Sequence, residues 1–409
     1  MGIPVVLRNR DFDLYWGGVV LSQIGTRGAV AANLYQVYEL TRSTLQVGMV
    51  GLAQAVALLV LSPLGGVLAD RMDRRRLLQW TQGVALVVSA VLAAVTFAGV
   101  ATTWMVATSA LLATAAATFD QPARQALIPA LVPRDRLVDA FALLNPSREL
   151  AVLVGPALAG VLIAAWGAGA VYAFDAITYA AMVVMLAMIK IPPLIPDKPH
   201  APILASLREG AAYVRGRPLI WQLMGLDLAA TVFGAYRVLL PAYALDVLHA
   251  GPTGYGLLSA APSAGALIGS VLVFRLVRSQ RSGVIVLIST AVYGLIVAGL
   301  AQSTVFGVAL VLAGLLGVAD ALATTIRHAA VQVETPDGLR GRVSAIYQMS
   351  SRGGPAIGDT VIGAAAGVLG PVAALTVGGL VPVLASVAAS TSPVVRGYSV
   401  VQPEETTKA

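Results

Sequence analysis

The chain has 409 residues, of which 57% are hydrophobic and 11% charged, with a formal net charge of +7 and no cysteine. An ordinary soluble domain carries roughly 25% charged residues, so this composition excludes a water-soluble fold. The absent thiols exclude a disulfide framework, a thiolate nucleophile and a zinc–thiolate site.

Arg8 and Arg10 precede a first apolar stretch that is too long, and too poor in a cleavage site, for a removable signal peptide; it reads as a first span. Runs of about 20 apolar residues, the length that crosses a hydrocarbon core, then recur at 14–37, 45–68, 77–99, 104–123, 139–164, 170–190, 218–244, 254–274, 284–301, 305–326, 342–368 and 372–391, twelve in all. An even number puts both termini on one side. Of the 27 Lys and Arg residues, 22 fall on that side, Arg124 and Arg327 among them; Arg42 alone lies on the other, and Arg27, Arg148, Arg237 and Arg352 fall inside spans. The bias predicts a multi-pass protein of the cytoplasmic (inner) membrane with both termini in the cytoplasm. Because these cations sit in short loops without interleaved aromatics, they mark topology and no nucleic-acid partner is expected.

The longest loop, 191–217, holds Pro192, Pro193, Pro196, Pro199 and Pro202 and then an amphipathic stretch, Ser206 to Arg215. It divides the chain into halves at 1–190 and 218–391, with a tail at 392–409. A shift of 203 positions lays one half on the other, matching Gly66 with Gly269, Arg75 with Arg278, Arg124 with Arg327, Pro133 with Pro336 and Gly160 with Gly363. Two parallel six-span halves with a site between them near the midplane is the architecture of major facilitator transporters.

The loop after the second span, Gly65 to Leu77, resembles the G-x-L-A-D-R-x-G-R-[KR] signature of that superfamily through Gly66, Asp70, Arg71, Arg74 and Arg75, with Asp73 where the second glycine is usual. Gly66 permits close helix approach, Asp70 can meet a helix N-terminus or an arginine, and the arginines offer pairs that break and re-form. In the fifth span Gly155, Pro156 and Gly160 are similar to the G-P-x-x-G-G motif associated with exporters, with Ala159 at the penultimate glycine. The competing reading of that stretch is an ordinary Gly/Pro packing site.

Charges inside apolar spans are costly and therefore suspect. Glu149, Asp359 and Asp227 are the proton-coupling candidates, with Glu149 first because Arg148 adjoins it and a carboxyl, unlike a guanidinium, can titrate. Arg27, Arg148, Arg237, Arg352, Gln23, Tyr35 and Gln348 are the substrate-cavity candidates, whereas Asp175 and Asp320 lie nearer span ends and rank lower. For each charge the alternative is a fixed interhelical ion pair. No G-x-x-x-x-G-K-[ST], H-E-x-x-H or G-x-S-x-G occurs, and His200, His249 and His328 are placed in loops. No ATP drive, enzyme activity, metal or cofactor is expected.

Arg8 to Phe12, Ser43 to Gly48, Pro122 to Ala126, Arg237 to Ala242, and Thr335 through Arg342 resemble the branch of the superfamily that holds enterobactin exporters and macrolide efflux proteins. The resemblance implies an all-α major facilitator fold of twelve transmembrane helices in two pseudo-symmetric six-helix halves. It also implies proton-coupled efflux of an amphipathic small molecule, siderophore-like first and drug or secondary metabolite second, by a monomer whose partners are substrate, protons and lipid. A nutrient importer and a non-transporting scaffold remain the alternatives.

Overall fold

In the computed structural model residues 9–189, 203–276 and 281–399 are described, with the side chains of 62–71, 134, 203–207 and 274–276 set aside. Gly66, Asp70 and Arg71 of the loop signature, Arg278 of the repeat and His200 therefore lie outside the described side chains.

The described residues form helices throughout and no strand. They are α1 Arg10–Thr41, α2 Thr44–Arg71, α3 Arg74–Phe97, α4 Thr103–Leu131, α5 Leu137–Trp166, α6 Ala168–Met188, α7 Ile203–Arg215, α8 Pro218–Leu228, α9 Leu240–Ala242, α10 Gly251–Leu276, α11 Ser282–Gln302, α12 Phe306–Val333, α13 Asp337–Leu369, α14 Pro371–Ser390 and α15 Pro393–Arg396. Among the described residues nine helical segments are long and apolar enough to cross a membrane. The other long helices, α1, α4 and α13, are more polar because they carry Arg27, Asp120, Arg124, Arg352 and Asp359. Their outer surfaces carry apolar side chains like the rest: Leu21, Leu112 and Val368 are exposed, as are Val87, Ile177, Ile268 and Leu384 on other helices, and Trp80, Trp104 and Trp166 are more than two-thirds exposed, as suits side chains solvated by lipid and its interface.

The segment after α8 is broken, with a π-helical turn at Ala229–Phe233, a 3-10 turn at Arg237–Leu239 and a second π-helical turn at Tyr243–Val247. Pro241 has no N–H to give and Gly234 is a poor helix former, so the ladder cannot continue. The freed carbonyl of Gly234 accepts from the Tyr293 hydroxyl at 3.1 Å, which meets the need to satisfy backbone within an apolar medium.

Two compact units emerge, Met1–Pro199 with Val238–Ala260, and His200–Arg237 with Ala261–Ala409. The division therefore differs from a cut at the 191–217 loop, because Val238–Ala260 packs with the first unit. Inside the first unit α6 lies along α1 and α3, and Phe12, Tyr15, Leu78, Leu127, Leu144 and Met182 form a core. Inside the second, α11 lies along α12 and α14. The 203-residue shift carries α3 onto α11 and α6 onto α14, so the same pair packs together in each unit. Helix α7 joins the second unit, where Glu209 pairs with Arg342 at 2.6 Å and the Tyr213 hydroxyl donates to the Glu334 carbonyl at 2.9 Å.

Helix ends account for the remaining loop residues. Asp73 caps α3, accepting from the Arg76 amide at 2.9 Å, and this explains an acid where the loop signature has glycine. Arg74 and Arg75 donate to the carbonyls of Ala126 and Ala187 at 3.0 and 2.9 Å. Both acceptors lie near helix C-termini, which favour cations. His328 is not in a loop: it lies in α12, edge-on to Tyr347.

Candidate functional site

Two arginines assigned to cytoplasmic loops are instead the largest fully buried side chains among the described residues. Arg124 is 2% exposed and Arg327 1%. The apolar windows ended at 123 and 326, but α4 runs on to Leu131 and α12 to Val333, because i→i−4 bonding continues through a charge that finds partners.

Arg124 forms an ion pair with Asp120, one turn earlier on the same helix. Around them the Gln82 amide donates to Asp120 at 2.9 Å, the Ser22 hydroxyl to Gln82 at 3.1 Å, and the Tyr15 hydroxyl to the Arg124 carbonyl at 3.0 Å. In the second unit the repeat-related Arg327 meets Asp227 at 2.7 Å, both 1% exposed, and Asp320 at 4.0 Å. The equivalent guanidinium is thus neutralised from its own helix in one unit and chiefly from a neighbouring helix in the other.

The Asp120–Arg124 cluster opens onto a cavity of about 220 Å³ within the first unit, lined from α1, α2, α3, α4 and α6. Three buried lining atoms have no hydrogen-bond partner: Asn33 Oδ1, Arg124 Nη1 and Asp175 Oδ1. Buried polar atoms are rarely left so. The residues lining the cavity thus include a cationic donor and two acceptors whose hydrogen-bonding capacity is not used up within the protein. Its size is below the ~300–1,000 Å³ of pockets that enclose a drug-sized molecule, so this chamber fits a small polar group.

Of the sequence candidates, Arg27 and Gln23 line this cavity. Tyr35 is buried beside it against Tyr255, with ring centroids 5.4 Å apart. Arg148 is half-buried with an unpartnered Nε, while Glu149 is exposed and outside the lining. Asp227 is committed to Arg327; Asp359 is buried on α13 within electrostatic reach of Arg237, itself exposed; Arg352 and Gln348 are exposed on α13. Asp120 and Arg124 were missed because they fall at the edge of an apolar window. Asp175 was ranked low as a terminal residue, yet it is 2% exposed and lies well inside α6.

The glycine motif of α5 works on two faces. A Cβ at Gly155 would lie 2.6 Å from Arg27 Cβ and 2.7 Å from the Ile24 carbonyl of α1. One at Gly160, turned about 140° around the helix, would lie 2.8 Å from Gly256 Cα and from the Pro252 carbonyl of α10. Ala159, at the departure from the motif, meets a Cβ built on Gly28 at 3.6 Å, an ordinary contact. At the far end of α1 Tyr38 hydrogen-bonds Asp246, and Arg42 pairs with the same carboxylate at 2.8 Å.

The chain is 29% identical over 353 residues to the enterobactin exporter EntS of Citrobacter koseri, covering 84% of this chain and 82% of that one. It is 28% identical over 353 residues to the enterobactin exporter EntS of Salmonella typhimurium, covering 84% and 83%. Among solved structures it is similar to the nucleoside transporter NupG, with a TM-score of 0.74, 13% identity and coverage of 94% and 98%. A bacterial homologue of the human lysosomal transporter Spinster matches with a TM-score of 0.73, 13% identity and coverage of 97% and 98%. These structural likenesses show the fold, an all-helical major facilitator fold. Residues 4–405 match the transmembrane secretion effector family, and the chain belongs to that family of multi-pass membrane transporters.

Proposed function

We propose that the protein exports an amphipathic small molecule across the cytoplasmic membrane in exchange for protons, with a siderophore of the enterobactin kind as substrate. The observation that carries this reading is likeness to exporters along 84% of the chain. The site supports it with a chamber inside an apolar unit, to which α4 brings the Arg124 guanidinium and the Asp120 carboxyl and α6 the Asp175 carboxyl. Arg27 and Arg124 suit the anionic oxygens of a catecholate or hydroxamate. In inside-out vesicles acidified by respiration, iron-free enterobactin is expected to accumulate and to leak out when a protonophore is added. Accumulation of erythromycin but not enterobactin would favour drug or metabolite efflux. Accumulation of enterobactin that ignores the protonophore would remove proton coupling.

The proposed orientation has both termini cytoplasmic. Returning Arg124 and Arg327 to the helices takes two from the 22 cations on that side and leaves Arg42 alone opposite. Reporter tags at the N-terminus, in the 191–217 loop and at the C-terminus are expected to read cytoplasmic, and tags at Arg42 or Pro252 external. Any two of these reading the wrong way would overturn the span order.

A further inference from the structure

We propose that Asp175, on α6, is the residue that binds and releases the transported proton; this rests on the proton-coupled reading above. Its carboxyl is 2% exposed. Oδ2 accepts from the Ser89 hydroxyl at 2.7 Å, and Oδ1 has no partner and belongs to a side chain lining the cavity. Helix α1 packs closely against it: a Cβ at Gly25 would collide with Thr178 Oγ1 and lie 2.8 Å from Asp175 Oδ1, so glycine lets α1 approach the carboxyl without giving Oδ1 a donor.

The surroundings separate Asp175 from the other buried acids. Asp120 is paired with Arg124 and Asp227 with Arg327, each at a guanidinium that holds its charge, and Asp359 lies within electrostatic reach of the Arg237 guanidinium. No cation pairs with Asp175 among the described residues. From α1 the groups near it are Gly25 and, lining the same cavity, Arg27; from α3, Ser89; across the cavity on α4, Asp120 and Arg124. Helix α5 packs on α6 but brings no titratable side chain to the lining. On α6 itself the Tyr172 hydroxyl donates to Gln36 and the Tyr179 hydroxyl shares a hydrogen bond with Thr26.

A buried carboxylate with neither cation nor second donor is stable only with a proton on it. Deprotonation breaks one O–H bond, leaves its electron pair on the carboxylate and passes the proton to water entering the cavity. Arg124, whose Nη1 lacks a partner, is among the residues lining that same cavity, so the charge left behind has a donor to turn to when the helices shift.

Asp175→Asn keeps the volume and an acceptor for Ser89 but cannot titrate. In proteoliposomes with iron-free enterobactin as probe, the variant is expected to lose pH-gradient-driven accumulation down to the level of empty vesicles while retaining downhill exchange. Retained exchange shows that it is folded. Infrared spectra of the purified protein at neutral pH supply a reading that needs no substrate: the carbonyl-stretch band of a protonated carboxylic acid is expected in wild type and missing from Asp175→Asn. Persistence of that band in the variant, its absence from wild type, or accumulation that survives Asp175→Asn while Glu149→Gln abolishes it would overturn the assignment. If wild type shows no gradient-driven accumulation at all, the coupled-export reading fails, and the infrared band still decides whether Asp175 carries a proton.

Discussion

Arg327→Met is expected to destabilise the protein by about 3–5 kcal/mol, the usual cost of stripping one partner from a buried ion pair. Asp227 would be left 1% exposed with no guanidinium at 2.7 Å to neutralise it, and the remaining acid near that point, Asp320, would add repulsion. Thermal unfolding in detergent checks this. The companion change decides the cause: Arg327→Met with Asp227→Leu removes both charges and fills similar volume, so most of the loss is expected to return. A double variant as unstable as the single one would show that Arg327 acts through something other than charge pairing. Transport need not return with stability, since the pair can be dispensable for folding and still be required for helix movement.

Gly160→Leu is expected to abolish transport and to lower stability. The new Cβ would sit 2.8 Å from the α-carbon of Gly256 and from the Pro252 carbonyl, and both obstacles are backbone. No rotamer relieves such a clash, so α5 and α10 must separate. Overpacking in a well-fitted interior costs about 1–3 kcal/mol, more where the backbone itself must move. Gly83→Ala on α3 is the comparison: nothing lies within 4 Å of the added Cβ, and alanine favours helix by about 1 kcal/mol. It is expected to be neutral or slightly stabilising. Wild-type transport by Gly160→Leu would mean that the close approach of α5 to α10 is not needed in the working cycle.

Membrane location and the helical class were legible in the sequence, because each depends on local composition. A run of about 20 apolar residues has few alternatives to a spanning helix. A fixed shift of 203 residues likewise forecasts that α3 will relate to α11 as α6 does to α14. The exporter-like glycines were legible for the same reason, since a missing side chain announces a close approach without saying to what.

The chemistry of the interior was decided by tertiary structure. Arg124 and Arg327 carry the same charge as the loop arginines and lie beside them in sequence, yet partners on α4, α8 and α12 draw them fully inside. Glu149 and Asp175 illustrate the reverse. The arginine adjacent in sequence made Glu149 the better candidate, but adjacent helical positions point about 100° apart, and Glu149 ends exposed on α5. Asp175 had no neighbour to recommend it. Its position follows from Gly25 on α1 and Ser89 on α3 packing against it beside a cavity that α4 also lines. The partners of a buried charge come from helices distant in the chain, so its identity is written in the sequence while its desolvation and pairing are set only once those helices pack.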